Sequence, residues 1–269
     1  MTATETGPDV TRSVPGDGRQ PCLNVPARFC GGLRNTPGKM RLSATQLNEV
    51  LLSLREKTGW ESLNFDDEGF LICPDSDAFT GGSEAARRLL GKAIFSDESY
   101  YLEAHNRSDA VRFARLGPGT VYAQHGSSVR ISVKPVQLDF ADFNQLRGDG
   151  PALKAFDVGL AIMHELAHGI WQLRDAASEE DEPGECETFI NQIRRELQLP
   201  ERTNYLARVR HCAINCGRPI VELRFTRTLA RTSEGHGRVT QRRYLLQWDA
   251  TAVGAMTNVG LASLRVAAK

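Results

Sequence analysis

Apolar residues recur at helical spacing in four stretches of the chain and alternate with polar residues in several others. The helical spacing predicts helices over residues 43–58, 83–94, 155–171 and 185–199, with Ser43 capping the first. Alternation predicts strands over residues 111–122 and 128–140, a hairpin over residues 65–73, and a C-terminal β-hairpin formed by residues 219–229 and 238–248. The pattern therefore predicts an α+β fold with a mixed sheet in its N-terminal part.

One of these strands carries a proline. Apolar and polar residues alternate over residues 128–135, as they do in a half-buried strand. Pro135 ends this stretch and has no N–H group to donate to a neighbouring strand. We therefore expect this part of the chain at the edge or at the end of its sheet.

The chain of 269 residues has the composition of a globular protein, with 41% hydrophobic and 25% charged residues. Residues 1–40 contain few apolar positions and are expected to form a disordered tail, followed by a single domain over residues 41–249 and a C-terminal tail over residues 250–269. The formal net charge is zero, which gives no sign of nucleic-acid binding. No apolar run suggests a signal peptide or a membrane span, so we expect a cytoplasmic protein or one exported without a Sec signal.

The candidate chemistry lies in the third predicted helix, which contains His-Glu-Leu-Ala-His from His164 to His168. Two histidines four residues apart share one helical face, so both imidazoles can bind the same Zn²⁺ ion. Glu165 is placed to act as general base on a water molecule at the metal. Apolar neighbours predict that this helix is buried, and buried histidines and glutamates need a partner such as a metal ion.

The third metal ligand has to come from another part of the chain. Metzincins carry a third histidine six residues after the second, but Arg174 occupies that position here and excludes this class. Three acidic residues farther along are candidates: Glu185 and Glu187 at the start of the fourth predicted helix, and Asp175 between the two helices.

Two helix-borne histidines, followed after eighteen residues by Glu187, resemble the gluzincins, which are zinc peptidases of the zincin class. The resemblance implies Zn²⁺ bound by His164, His168 and Glu187, with Glu185 as the competing third ligand and Asp175 behind it. It also implies a zincin-like fold, in which the two helices are an active-site helix and a ligand helix. In that fold an edge strand, here the strand over residues 128–135, borders the cleft, where a peptide substrate can pair with it.

Other residues near the predicted site are candidates for supporting roles. Gluzincins commonly supply a tyrosine or histidine to the oxyanion of the tetrahedral intermediate, and Tyr205 is the first candidate here, ahead of His211 and His236. Asn191 stands where some gluzincins have an acidic residue that steadies a ligand histidine. Asp157, earlier on the face of the two histidines, is a further candidate for that role.

These residues predict a zinc-dependent metallopeptidase in which Glu165 accepts the proton of the attacking water and passes it to the leaving amine. The expected partner is a peptide or protein substrate, and neither nucleic acid nor a membrane is expected. Two alternatives are open: a catalytically silent zincin-like domain that binds a metal or a protein, and a structural domain without any metal.

The six cysteines are expected to be free thiols, because no secretory signal is recognisable. Cys212 and Cys216, together with His211, are a candidate structural metal site. Cys186 is either a small buried residue or a thiol whose oxidation modulates the neighbouring site. Residues 201–245 contain ten arginines and three glutamates, which indicates a solvated face or a hairpin that selects acidic substrates.

Overall fold

A computed structural model of the protein describes residues 31–123, 130–176, 183–204, 208–211, 219–233 and 236–254. Its helices within these ranges are α1 (Ala44–Thr58), α2 (Glu84–Ile94), α3 (Phe140–Phe143), α4 (Gly150–Lys154), α5 (Val158–Trp171) and α6 (Glu185–Glu196). Its strands are β1 (Gly32–Asn35), β2 (Asn64–Phe65), β3 (Leu71–Ile72), β4 (Ser99–Ala104), β5 (Ala114–Leu116), β6 (Thr120–Ala123), β7 (Arg130–Leu138), β8 (Arg147–Gly148), β9 (Glu201–Arg202), β10 (Arg208–His211), β11 (Pro219–Ser233) and β12 (His236–Asp249). The predicted α+β class is confirmed.

The first sheet is mixed, and its strands follow the order β1-β4-β7-β5, with β6 also paired to β7. Strands β1, β4 and β7 run parallel to one another, whereas β5 and β6 pair antiparallel with successive parts of β7. Small antiparallel strands β2 and β3 form the hairpin predicted over residues 65–73. The sheet thus combines a parallel centre with an antiparallel border.

The prediction that Pro135 lies at an edge or an end is wrong, because β7 has neighbours on both sides and continues past Pro135 to Leu138. The strand predicted over residues 111–122 is interrupted between β5 and β6, and Gly117 at this break donates its N–H to the Pro135 carbonyl (2.7 Å). The N–H and C=O of one residue point to the same side of a strand, so the missing N–H of Pro135 falls opposite this break. The proline therefore costs the sheet little.

Helix α5 packs between the other helices and the first sheet, where it contacts α1, α2, α6, β5 and β7. Two glycines permit this close packing: a Cβ atom at Gly159 would overlap the Ser53 side chain of α1, and one at Gly169 would overlap the Tyr100 ring of β4. Apolar residues cover nearly all sides of α5, and the buried ones include Leu160, Ile162, Met163 and Leu166. The prediction of a buried helix over this motif is confirmed.

The other predicted helices also form. Ser43 caps α1 in a capping box, in which its side chain accepts from the backbone of Gln46 and the Gln46 side chain accepts from the backbone of Ser43. None of the helices in the described part of the chain is long and apolar enough to cross a membrane.

The second sheet follows the order β10-β11-β12-β8, with β9 also paired to β11. Its long strands form the predicted C-terminal hairpin, and their register runs from Ile220 opposite Asp249 to Ser233 opposite His236. One face of the hairpin supplies a second apolar cluster, whose buried members include Val221, Leu223, Phe225, Leu246, Trp248, Phe113 and Ala155. Because Phe113 precedes β5 and Ala155 precedes α5, this cluster borders the region around the candidate motif.

The described structure extends beyond the predicted limits of the domain at both ends. Strand β1 lies within the predicted tail of residues 1–40, yet its four residues are buried against the rest of the first sheet. Ala250 and Val253, assigned to the C-terminal tail, are buried in the second apolar cluster. Each of these segments buries too few apolar residues in sequence for their periodicity to predict a helix or a strand.

Candidate metal centre

The two motif histidines converge with an aspartate on one side of α5. The Nε2 atoms of His164 and His168 lie 3.1 Å apart. The Oδ1 atom of Asp175 lies 3.2 Å from Nε2 of His164 and 3.3 Å from Nε2 of His168. The three atoms form a nearly equilateral triangle at a partly exposed site, with the Asp175 side chain 35% exposed.

A tight turn after α5 brings Asp175 back to the histidines. Gln172 ends the helix in the left-handed conformation (φ 56°, ψ 28°), and its N–H donates to the His168 carbonyl at 3.1 Å. The following carbonyl, that of Leu173, lies 2.6 Å from Nδ1 of His168. A carbonyl can only accept, so Nδ1 carries the proton and the Nε2 lone pair of a neutral imidazole is directed at the triangle.

The triangle has the dimensions of one face of a zinc site. Ligand atoms about 2.0–2.1 Å from a tetrahedral Zn²⁺ ion lie about 3.3 Å from one another. Without a metal ion, hydrogen bonding to Asp175 raises the pKa of His168 to about 9, so a proton supplies the positive charge that this group requires. Two imidazoles and one carboxylate are also a donor set typical of catalytic zinc sites, in which a fourth position is open to water.

Glu187, the predicted third ligand, is not part of this triangle. It is buried at the start of α6, where its carboxylate forms ion pairs with Arg194 and with Arg202 (3.1 Å to Nη1). Its nearest approach to the motif is 3.8 Å from Oε2 to Nδ1 of His164, the ring nitrogen opposite Nε2. Burial alone would raise the pKa of Glu187, but the charges of Arg194 and Arg202 lower it to about 2.

Of the three acidic candidates, the structure brings a different one to the histidines than the resemblance implies. Asp175, which ranked behind the two glutamates, joins His164 and His168 in a group that could hold a metal ion, and it lies one residue beyond Arg174, where a third histidine was sought. Glu185, the second candidate, accepts a hydrogen bond from the Arg174 N–H at 3.1 Å. The sequence signal for Asp175 was its place in the short segment directly after the motif helix, which can turn back onto that helix.

Glu165 projects toward the first sheet. Its Oε2 atom accepts a hydrogen bond of 2.7 Å from the Leu116 N–H of β5, and its side chain is half-buried. Burial raises the pKa of Glu165, and the neighbouring histidines and the Leu116 N–H act in the opposite direction. The carboxylate is thus held by a backbone donor, and both motif histidines lie close enough to act on its pKa.

Cys186 completes the group of possible metal-binding side chains, and its Sγ atom lies within 4.8 Å of the other three ligand atoms. The thiol is fully buried and donates to the His164 carbonyl at 3.4 Å. Burial raises the pKa of Cys186, which disfavours the thiolate that a metal requires. In this arrangement the thiol is a hydrogen-bond donor to α5, as expected of a small buried residue, and Cys73 is likewise a buried free thiol.

The two predicted supports of the histidines act elsewhere. Asp157 caps α5 by accepting from the Leu160 N–H at 3.0 Å, and its second oxygen accepts from Ser53 and pairs with the buried Lys57. Asn191 uses its amide oxygen for Arg194 and for the backbone N–H of Arg202. In the described structure both side chains are bonded to donors other than the motif histidines, so their support of a ligand histidine stays a prediction.

Five predicted residues lie where the structure gives no side-chain description. Tyr205 falls outside the described residues, as do Cys212 and Cys216 of the candidate structural metal site. His211 and His236 belong to β10 and β12, but only their backbone is described. The assignment of Tyr205 to the oxyanion stays a prediction.

A cavity of about 130 Å³ opens beside His164 and Glu165. Charged residues on its wall are Arg112, Glu165, Glu187, Arg194 and Arg202, and its apolar residues include Phe113, Phe156, Leu160, Ile190, Leu223 and Trp248. It lies where α5, α6 and the two sheets meet, so it joins the candidate centre to the interior of the protein.

Comparison with known proteins adds no family to these observations. No protein-family model matches the chain, and no curated protein and no solved structure is significantly similar to it. The function has therefore to be argued from the site itself.

Proposed function

We propose that the protein is a zinc-dependent peptide hydrolase in which His164, His168 and Asp175 bind the metal and Glu165 is the general base. The observation that carries this proposal is the convergence of two Nε2 atoms and one carboxylate oxygen at 3.1–3.3 Å beside a glutamate of the same helix. The donor types, their spacing and the adjacent carboxylate together match the requirements of a hydrolytic zinc site.

The surrounding residues have defined tasks in this proposal. Zn²⁺ bound there would supply a Lewis acid that polarises the scissile carbonyl and lowers the pKa of a water molecule. Glu165 accepts the proton of the attacking water and delivers it to the leaving amine, while the Leu116 N–H fixes its carboxylate. The Leu173 carbonyl fixes the tautomer and orientation of His168.

The position of β5 supports a peptide substrate. This short strand pairs with β7 on one side only in the described sheet, and it contacts the motif helix α5. Leu116 donates its N–H to Glu165 instead of to β7, so the unpaired side of β5 faces the candidate catalytic residue. An extended peptide added along this side would bring its backbone to Glu165, as the zincin-like arrangement requires.

Metal content and hydrolysis test the proposal together. Elemental mass spectrometry of the purified wild-type protein is expected to give one zinc ion per chain, and an unfolded, fluorescently labelled protein substrate is expected to be cleaved. Glu165→Gln should keep the zinc and lose at least about 100-fold in kcat, because only the proton acceptor is removed. Zinc without hydrolysis would instead identify a silent metal-binding domain, and a wild-type protein without zinc would refute the proposal.

A further inference from the structure

A groove of about 330 Å³ lies where α1, α3, α4 and the start of α5 meet, and no residue of the metal triangle lines it. Its apolar residues are Leu52, Phe143, Leu146, Leu153, Phe156 and Val158. All of them except Val158 are at least partly exposed, and 56% of the surface of Leu52 is exposed. A single exposed leucine is ordinary, but a group of exposed apolar side chains is typical of a surface that another segment or molecule covers.

The charged residues of this groove are carboxylates, and no arginine or lysine lines it. Glu56 and Asp157 share the buried Lys57, whose Nζ atom lies 3.1 Å from Glu56 and 2.8 Å from Asp157, and Arg194 also acts on Asp157. Glu49 has no ion pair among the residues that the structure describes, and burial and the charge of Asp157 raise its pKa. The groove therefore favours an occupant that combines apolar side chains with positive charge.

The described part of the chain ends beside this groove. The Gly254 N–H donates to the carboxylate of Asp142, which directly precedes Phe143 in α3. Ala250 and Val253 are buried in the second apolar cluster, and four residues of the groove pack against that cluster: Phe143, Leu146, Leu153 and Phe156. The last described residues thus already cover one side of the apolar group whose other side lines the groove.

Residues 255–269, here called the C-terminal segment, have the chemistry that the groove favours. Arg265 and Lys269 are its only charged side chains, and its larger apolar residues are Met256, Val259, Leu261, Leu264 and Val266. Its length is also sufficient, because fifteen residues span up to about 50 Å when fully extended. The segment can therefore reach α1 from Gly254 by crossing the groove.

We propose that the C-terminal segment docks in this groove, with its apolar side chains against Leu52 and its neighbours and its two cationic side chains facing Glu49 and Glu56. Attachment to the same chain gives the segment a high effective concentration at the groove, which favours it over a separate molecule. Phe156 also lines the cavity beside His164, so the docked segment packs against a residue of that wall. The inference depends on neither the metal ion nor the proposed hydrolysis.

Photochemical cross-linking in the 269-residue chain tests the docking directly. Leu52→p-benzoylphenylalanine places a photoreactive side chain at the groove, and Leu52 is exposed enough to accept it. Val121→p-benzoylphenylalanine is the matched control, because Val121 is 62% exposed on β6 and does not line the groove. After irradiation and digestion, peptide mass spectrometry should find at least about tenfold more cross-link to residues 255–269 from position 52 than from position 121, because docking concentrates the segment at the groove.

Substitutions within the segment test the charge complementarity without altering the groove. Arg265→Glu combined with Lys269→Glu turns attraction into repulsion and should lower the yield of this cross-link at least about threefold. Arg265→Lys keeps the charge and should retain the yield. A covalent dimer would assign the groove to a second copy, and cross-links confined to residues of the groove would show that the segment does not dock there. Either result, or a yield that the charge reversal leaves unchanged, would overturn the inference.

Discussion

His164 has a carboxylate on each side of its ring, and the two carboxylates lie in regions of opposite character. On the Nε2 side, Asp175 faces both histidines at the partly exposed triangle. On the Nδ1 side, Glu187 lies in the interior between Arg194 and Arg202. The same chemical group thus occurs once at the surface beside imidazoles and once in the core beside guanidinium groups.

The difference is the reason that we propose Asp175, and not Glu187, as the metal ligand. Arginine is always charged, so Arg194 and Arg202 compensate Glu187 permanently and hold it in one position. Imidazole is neutral near physiological pH unless a neighbour stabilises its charge, so the Asp175 side acquires its compensation from a proton or from a metal ion. The inner carboxylate is held in the core by its ion pairs, and in the proposed zinc site the outer one would exchange the proton of the triangle for Zn²⁺.

The largest expected effect is on stability, when the inner carboxylate is removed. Glu187→Ala leaves Arg194 and Arg202 buried without their shared partner, which should lower the free energy of unfolding of the metal-free protein by about 3–5 kcal/mol. Glu201→Ala is the matched control, because Glu201 pairs with Arg195, whose side chain is 63% exposed, and should cost less than about 1 kcal/mol. Urea denaturation measures both. Equal losses in the two variants would contradict the structural role of Glu187.

The pH dependence of stability should report the same carboxylate. The pKa of Glu187 in the folded protein is about 2, below its ordinary value of 4.5, so its contribution to stability is complete above pH 4.5 and is lost as the pH falls toward 2. The difference corresponds to about 3 kcal/mol. Denaturation of wild type and Glu187→Gln between pH 7 and pH 2 should show their stabilities converging in acid, and parallel curves would contradict this assignment.

The contrast between the two regions also explains what the sequence could and could not predict. The spacing of His164 and His168 predicts their shared face, because four residues make one helical turn, and apolar periodicity predicts α5 and α6 themselves. The choice between Asp175 and Glu187 depends on a contact between residues that are far apart in the sequence. Arg202, which follows α6, forms an ion pair with Glu187 at the start of that helix. No local pattern contains that information.

The fold shows the same limit. Alternation predicts the C-terminal hairpin because β11 and β12 are consecutive and one of their faces is apolar. It does not predict β1, whose four residues belong to a sheet only through parallel pairing with β4, more than sixty residues away. Pro135 was assigned to an edge by its missing N–H, but the break at Gly117 in the neighbouring strand accommodates it in the interior.

Substitution of Asp175 should weaken zinc binding more than substitution of Glu187 does, whereas stability should depend more on Glu187. Asp175→Ala removes a ligand of the proposed zinc site and should weaken zinc binding by more than about 100-fold, whereas Glu187→Gln acts only through the Nδ1 side of His164 and should weaken it by about tenfold or less. Glu185→Ala, which removes a carboxylate bonded to the Arg174 backbone, is the control and should leave affinity unchanged. Competition with a chromophoric chelator measures all three. A greater loss in Glu187→Gln than in Asp175→Ala would restore Glu187 as the ligand.

The smallest expected effect concerns the turn that carries Asp175 to the histidines. Gln172 adopts a left-handed conformation (φ 56°), which costs a residue with a Cβ atom about 1 kcal/mol or more and costs glycine none. Part of this gain is offset by the greater freedom of glycine in the unfolded chain, so Gln172→Gly should change the free energy of unfolding by less than about 1 kcal/mol and leave zinc affinity as it is. Gln172→Val strains the same turn and should weaken zinc binding several-fold, because Leu173 and Asp175 both follow from its geometry. Equal zinc affinity in the two variants would show that Asp175 reaches the histidines without this turn. The position of Asp175 would then depend less on the backbone at Gln172 than the position of Glu187 depends on its ion pairs.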